Sequence, residues 1–297
     1  LLLSKLEIIM KKLGLATALL LAMTGANAYQ FEVQGQAETI DAVAANDKDF
    51  SAGGQATYYF KNVDASKGPL AEAAFINQAS NVAVAYNYGQ FDEVESQNYG
   101  IKGEAYFPTS IVPAAYASLS YNAAFNDGKY GGTDDHGDRW ALEVGSVVAP
   151  NFLVTVGYTN IAAESVLDTF KIVNSGIFKA AGETATIGED QDAITARTKY
   201  VGAIDGTPMS IGFETGIVYG DATAFELKTD LYLNSQISGG VSYVESSIDG
   251  TPDSAWGVNA NYFVTPAIAL GASYVNANVV GADADVQTVG LNAKLRF

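Results

Sequence analysis

Ionisable side chains recur in phase within alternating stretches of this chain. Lys102 and Glu104, Arg197 and Lys199, Lys294 and Arg296, and the triplet Glu226, Lys228 and Asp230 are spaced two apart. Arg139 and Glu143 are four apart, and Glu32 and Glu214 stand singly in the same kind of pattern. Strand side chains alternate faces with a period of two, so each set projects from one face of its strand. Opposite charges on a shared enclosed face must pair or be hydrated. The two readings of these thirteen residues are a salt-bridged, plugged interior and an aqueous conduit lined by opposed charges. Catalysis finds little support. Cysteine is absent and His136 is the single histidine, with no nucleophile motif near it, so triad chemistry is not expected. No phosphate-binding glycine motif lies between a strand and a helix, and no cofactor is expected. Asp134-Asp135-His136-Gly137-Asp138 offers ligand types for a metal, but acidic glycine-rich loops rarely hold one, and none is expected there.

The elements that present these charges are strands. Val289, Leu291, Ala293, Leu295 and Phe297 are apolar at every second position near the C-terminus, opposite Thr288, Gly290, Asn292, Lys294 and Arg296. The same alternation begins at Phe31, Val33, Gly35 and Ala37 and recurs through the chain, with clear rows at Val82–Tyr88, Trp140–Val148, Met209–Tyr219 and Trp256–Val264. Counting gives fourteen strands, most near the roughly 9–11 residues that a tilted membrane-spanning strand needs. An even number of alternating strands predicts an all-β, antiparallel transmembrane barrel, because lipid tolerates strands only when every backbone group is paired. Aromatic residues such as Tyr58, Phe60, Tyr88, Tyr121, Trp140 and Tyr219 fall near strand ends on the apolar face, where interfacial girdles belong. A large soluble sandwich would also alternate, but leaves that placement unexplained.

The connections alternate in length. Short ones, such as Pro108–Pro113, Ala149-Pro150, 205–208, 234–235 and 265–266, take turns with longer acidic ones at 41–49, 92–96, 126–138, 161–192, 245–253 and 277–285. Together with 220–222, the acidic segments hold twenty-two carboxylates and four lysines (Lys48, Lys129, Lys171 and Lys179), a sum of −18. Placed at one rim, that charge favours cations over anions within a Debye length, and divalent cations could bridge it to lipopolysaccharide. The apolar residues Val166, Leu167, Phe170, Ile172, Ile177 and Phe178 mark 161–192 as the loop to fold inward. At the opposite rim, Pro69–Ala79 is expected to form a short helix tucked into the barrel mouth.

At the N-terminus, Met10-Lys11-Lys12, the apolar run Leu13–Met23 and an A-x-A site ending at Ala28 spell a secretory signal peptide, 1–28, with 1–9 as an upstream extension. The barrel domain is then 29–297. Residues 1–28 carry a net +2, so their removal takes the formal charge from −17 to −19, which argues against nucleic-acid binding.

Three stretches carry a family resemblance: Tyr29-Gln30-Phe31-Glu32-Val33-Gln34-Gly35-Gln36, Thr57-Tyr58-Tyr59-Phe60-Lys61-Asn62-Val63-Asp64, and Ser66-Lys67-Gly68-Pro69-Leu70-Ala71-Glu72-Ala73-Ala74-Phe75. In them the chain resembles the porins of gammaproteobacterial outer membranes, those of Acinetobacter above all. The terminal Phe297, with Leu295 two before it, resembles the signal by which the barrel-assembly machinery recognises its clients. The resemblance implies passive passage of water, ions and small hydrophilic solutes across a membrane rich in lipopolysaccharide. It supplies no catalytic residues and leaves the oligomeric state open. A closed barrel whose acidic loops serve adhesion or envelope integrity is the alternative.

Overall fold

A computed structural model describes residues 28–42, 49–91, 94–128, 135–162, 166–188, 191–247, 254–278 and 285–297. Of the expected signal peptide only Ala28 is described, and parts of the acidic segments lie outside the described residues. Fourteen strands form one closed antiparallel barrel, each paired with its sequence neighbours and the first with the last. They are β1 (Ala28–Ala42), β2 (Asp49–Asp64), β3 (Asn81–Phe91), β4 (Val94–Phe107), β5 (Ala114–Gly128), β6 (Asp135–Ala149) and β7 (Phe152–Ala162). The second half comprises β8 (Asp192–Ala203), β9 (Ser210–Tyr219), β10 (Thr223–Tyr232), β11 (Ile237–Ser246), β12 (Ser254–Thr265), β13 (Ile268–Asn278) and β14 (Val286–Arg296). None of the described helices is long and apolar enough to cross a membrane; the crossing elements here are strands.

Closure depends on the C-terminal strand. β14 pairs with β1 in the register Val33↔Leu295 and Ala37↔Leu291, which keeps both apolar rows on the outer face. Phe297 ends the seam by donating its N–H to Phe31 O at 2.9 Å and accepting from Phe31 N at 2.8 Å, and the two rings stack at 5.5 Å. Every apolar row read from the sequence faces outward: Leu291 is 65% exposed and Ile194 62%, in a band of large exposed apolar side chains running around the barrel. Water would not tolerate a patch of that extent, and hydrocarbon covers it without cost.

One strand breaks phase. The β1–β2 register shifts between Tyr29 and Phe31, so that Tyr29 pairs with Val63 and Phe31 with Tyr58. Simple alternation puts Lys61 on the inner face with Tyr59. The bulge leaves Lys61 exposed instead, while Tyr59 and Val63 are buried.

Both ends of the barrel are crossed by non-strand chain. At the short-turn end, the β2–β3 connection forms a 3₁₀ turn (Leu70–Glu72) running into the helix α1 (Ala73–Ile76), the helix expected within Pro69–Ala79. Ala73 packs with Tyr29, Tyr59 and Val63; Leu70 packs with Phe263 and Ala269; Phe75 packs with Tyr116, Val147 and Leu153. Its contacts thus reach three sectors of the wall. At the long-loop end, the β7–β8 connection folds inward as α2 (Thr169–Ser175) and α3 (Ile177–Ile187). The helix α2 lies against β1–β4, and α3 against β7, β9, β10 and β11.

Candidate functional site

Between these two segments lies a chamber of about 590 Å³. Nine carboxylates and eight cations line it, so its net charge is close to zero despite the acidity of the chain. Eleven of the thirteen residues singled out in the sequence border it: Lys102, Glu104, Arg139, Glu143, Arg197, Lys199, Glu214, Glu226, Lys228, Asp230 and Lys294.

The strand register explains how they meet. Lys102–Glu104 (2.9 Å) and Lys228–Asp230 (3.1 Å) are pairs two apart on one face of one strand. Arg197 on β8 spans the intervening β7 to reach Glu143 on β6, with Nε–Oε1 at 3.0 Å and Nη2–Oε2 at 2.8 Å, and reaches Glu214 on β9 at 3.3 Å. Gly157 of β7 makes that span possible. A Cβ there would stand 3.1 Å from Glu143 Cγ and 2.5 Å from Thr195 Oγ1. Lys199 joins Glu214 at 3.9 Å and Glu72 of the short-turn segment at 2.9 Å, with its ammonium 5.0 Å from the Phe75 ring centre. Tyr232 also donates to Glu72, at 2.7 Å. Burial would raise the Glu72 carboxyl, but Lys199, Lys228 and Tyr232 outweigh it and hold it below the usual range.

Charges carried by the inward-folded loop complete the network. Lys171 pairs with Glu183 at 2.7 Å and with Glu226 of the wall at 2.8 Å, while Glu183 also pairs with Arg139 of β6. Burial opposes ionisation of Glu183, yet Lys171 and Arg139 prevail and hold its value at about 2. Lys179 donates to Ser242, and burial lowers its ammonium to about 8. Glu38 on β1 accepts from Ile177 N at 3.1 Å and so caps α3, a contact that needs glycine at 176, where φ is +94° and a Cβ would meet Glu38 Oε1 at 2.6 Å.

Two of the thirteen depart from the expected lining. Glu32 and Arg296 point inward but do not border the chamber, because the short-turn segment covers them. Arg296 donates to Glu32 at 2.7 Å and to Leu70 O at 2.8 Å, and lies between the rings of Tyr29 and Phe263, 4.5 and 4.6 Å from their centres. They tie that segment to the barrel seam, and Lys294 joins Glu32 at 3.1 Å. Conversely, Lys171 and Lys179, counted with the acidic outer segments in the sequence, sit inside with Asp168 and Glu183. Nothing in the sequence pointed to Glu72, which lies in a turn rather than an alternating strand. Asp134 lies outside the described residues; His136 and Asp138 begin β6, where Asp138 accepts from Tyr121 at 3.1 Å. Among the described residues no group of three metal-ligating side chains converges.

The family model described as "Putative general bacterial porin" matches residues 3–297. Among solved structures, the outer membrane protein Omp33 of Acinetobacter baumannii is 47% identical, with 92% of this chain and 100% of that chain covered and a TM-score of 0.69. A FadL homologue of Pseudomonas aeruginosa is 10% identical, with 91% of this chain and 90% of that chain covered and a TM-score of 0.48, a likeness that does not inform the solute. No curated protein matches the chain. A closed fourteen-stranded barrel with a lipid-compatible exterior, matched nearly end to end by that model, belongs to the general bacterial porin family of the Gram-negative outer membrane.

Proposed function

We propose that the barrel is a passive diffusion channel for water, ions and small hydrophilic solutes, with a preference for cations set at its outer mouth. The observation that carries the reading is the chamber: a barrel interior lined by seventeen ionisable side chains rather than an apolar core. Eight strands already fill a barrel with side chains, and roughly 16–18 leave an open channel, so fourteen leave room for a narrow one. The near-neutral chamber offers little selectivity of its own. The acidic outer segments, at −18, supply the cation preference, through a field that salt screens within about 10 Å at 0.1 M. Lipid contacts the exterior, lipopolysaccharide is bridged to the acidic rim by divalent cations, and the barrel-assembly machinery reads the strand ending in Leu295 and Phe297. No catalytic role is assigned to any residue.

One observation favours the second reading, a closed barrel serving adhesion or envelope integrity: chain crosses the lumen at both ends. Conductance across a planar bilayer separates the two. The channel reading expects discrete current steps and, in a KCl gradient, a reversal potential of cation-selective sign that shrinks as total salt rises. Barrels shown to be inserted that pass no current overturn it.

A further inference from the structure

Directly opposed positions on β10, β9 and β8 form two rows that face the chamber. In one row Lys228, Glu214 and Lys199 alternate in sign. In the next, two residues toward the long-loop end, Glu226 and Arg197 flank the same residue of β9, Gly216. Neighbouring strands lie about 4.8 Å apart, so an acid and a base stand on strands roughly 10 Å apart with no side chain between them.

The gap over Gly216 is open. At Gly157, Gly212, Gly240, Gly271 and Gly290, which also face inward, a Cβ would come within 2.8 Å of a neighbouring side chain. At Gly216 the nearest atom a Cβ would meet is Glu226 Cβ, at 3.8 Å. Glu226, Gly216 and Arg197 all border the chamber. Both charges retain capacity for a ligand. Among the described residues Glu226 is contacted at Oε2 alone, by Lys171 at 2.8 Å, and its second oxygen remains. Arg197 gives Nε and Nη2 to Glu143 and Nη1 to Glu214, three of its five N–H groups. The remaining positions are filled by water or by a solute. The adjoining wall is of another kind: β11, β12 and β13 project no ionisable side chain inward, and Ser238, Asn259, Asn261 and Ser273 border the chamber there.

We propose that the niche over Gly216 is a subsite for small zwitterions of the α-amino-acid type. Glu226 holds the ammonium, Arg197 holds the carboxylate, and an uncharged side chain lies toward the hydroxyls and amides of β11–β13. The inference deepens the diffusion-channel reading and rests on it. A simple cation gains one of these contacts and meets a like charge at the other, and a simple anion does the same in reverse. A sugar-like solute gains neither ion pair. A solute with both signs on neighbouring atoms gains both, and charge-assisted hydrogen bonds are about twice as strong as neutral ones.

Uptake of L-serine and of erythritol, an uncharged solute of comparable size, into liposomes carrying the purified barrel tests this. Serine uptake should saturate with concentration, and below saturation should exceed erythritol uptake about tenfold or more, the gain expected of roughly 1.4 kcal/mol. Erythritol uptake should stay proportional to concentration. Gly216→Val fills the gap, and Glu226→Gln removes its acid while Lys171 keeps Glu183 at 2.7 Å. Each should lower the serine-to-erythritol ratio about fivefold or more. If Gly216→Val does not assemble, Glu226→Gln still decides. A wild-type ratio near one without saturation overturns the subsite and leaves the channel reading standing, and so does a ratio that Glu226→Gln leaves unchanged. Uptake of neither solute above protein-free liposomes overturns the channel reading and takes the subsite with it.

Discussion

Replacing Arg197 with Met removes the cation that ties a carboxylate of β6, Glu143, to one of β9, Glu214. Glu143 loses both of its short contacts to that guanidinium, and Glu214 keeps only Lys199 at 3.9 Å. Removing one partner of a fully buried pair costs about 3–5 kcal/mol, and of an exposed pair about 0–1 kcal/mol. The side chains of Arg197, Glu143 and Glu214 are 26%, 20% and 31% exposed, which sets the expected cost between those limits, at about 2 kcal/mol. For a barrel of this size that corresponds to roughly 4–8 °C in the unfolding midpoint. The assay is the temperature at which unboiled protein converts from the folded to the unfolded band on a gel, at one fixed heating rate because unfolding of such barrels is kinetically controlled. Glu143→Gln alone should also destabilise, by leaving Arg197 only Glu214, at 3.3 Å, as a counterion. The double variant should recover about 1 kcal/mol or more relative to the sum of the two, since each removes the other's unpaired charge. Simple additivity of the two single effects would refute the pairing argument.

Other consequences are as specific. Lys179 titrates at about 8 inside the barrel against an ordinary 10.5; burial causes the shift, Lys228 and Lys171 reinforce it, and Glu226 and Asp230 oppose it. Between those values the folded form binds fewer protons than the unfolded chain, so stability should rise with pH from about 8 to 10.5, and Lys179→Met should flatten that rise in urea titrations. Glu38 and Ser242, which face the same turn of α3, remain in that variant. Gly157→Val would set a Cβ 2.8 Å from the Leu142 carbonyl oxygen, a backbone atom that cannot swing aside. It should destabilise the barrel by about 1–3 kcal/mol, visible as the same gel shift at lower temperature. Phe297→Ala removes the ring stacked on Phe31, and should lower the folded fraction recovered in outer membranes at equal synthesis.

The barrel was legible because lipid imposes a binary code. Leu291 and Val289 on one side of β14, and Lys294 and Arg296 on the other, can be told apart without coordinates, since an oily exterior and a wet interior demand opposite residue types. The fourteen strands and the inward turn of 161–192 follow from that code. What lies inside the barrel obeys no such period. Glu72 meets Lys199 only because a short helix bends into the mouth, a matter of tertiary packing between residues far apart in sequence. The same helix explains why Glu32 and Arg296, correctly phased toward the interior, end up beneath it rather than along the chamber. Lys61 shows the code failing locally, at a bulge whose extra residues shift the phase. Lys171 and Glu183 were assigned to an acidic rim because charge in a loop normally seeks solvent. Here the apolar face of the same loop draws both lysine and glutamate inward, where each finds its counterion.

The central claim is that small hydrophilic solutes cross this barrel by diffusion. Osmotic swelling of liposomes reconstituted with the purified barrel tests it most directly, using neutral solutes of graded size. Swelling that falls steeply with solute size and grows in proportion to solute concentration is the predicted result. Rates no faster than those of protein-free liposomes, even for the smallest solute, would contradict it.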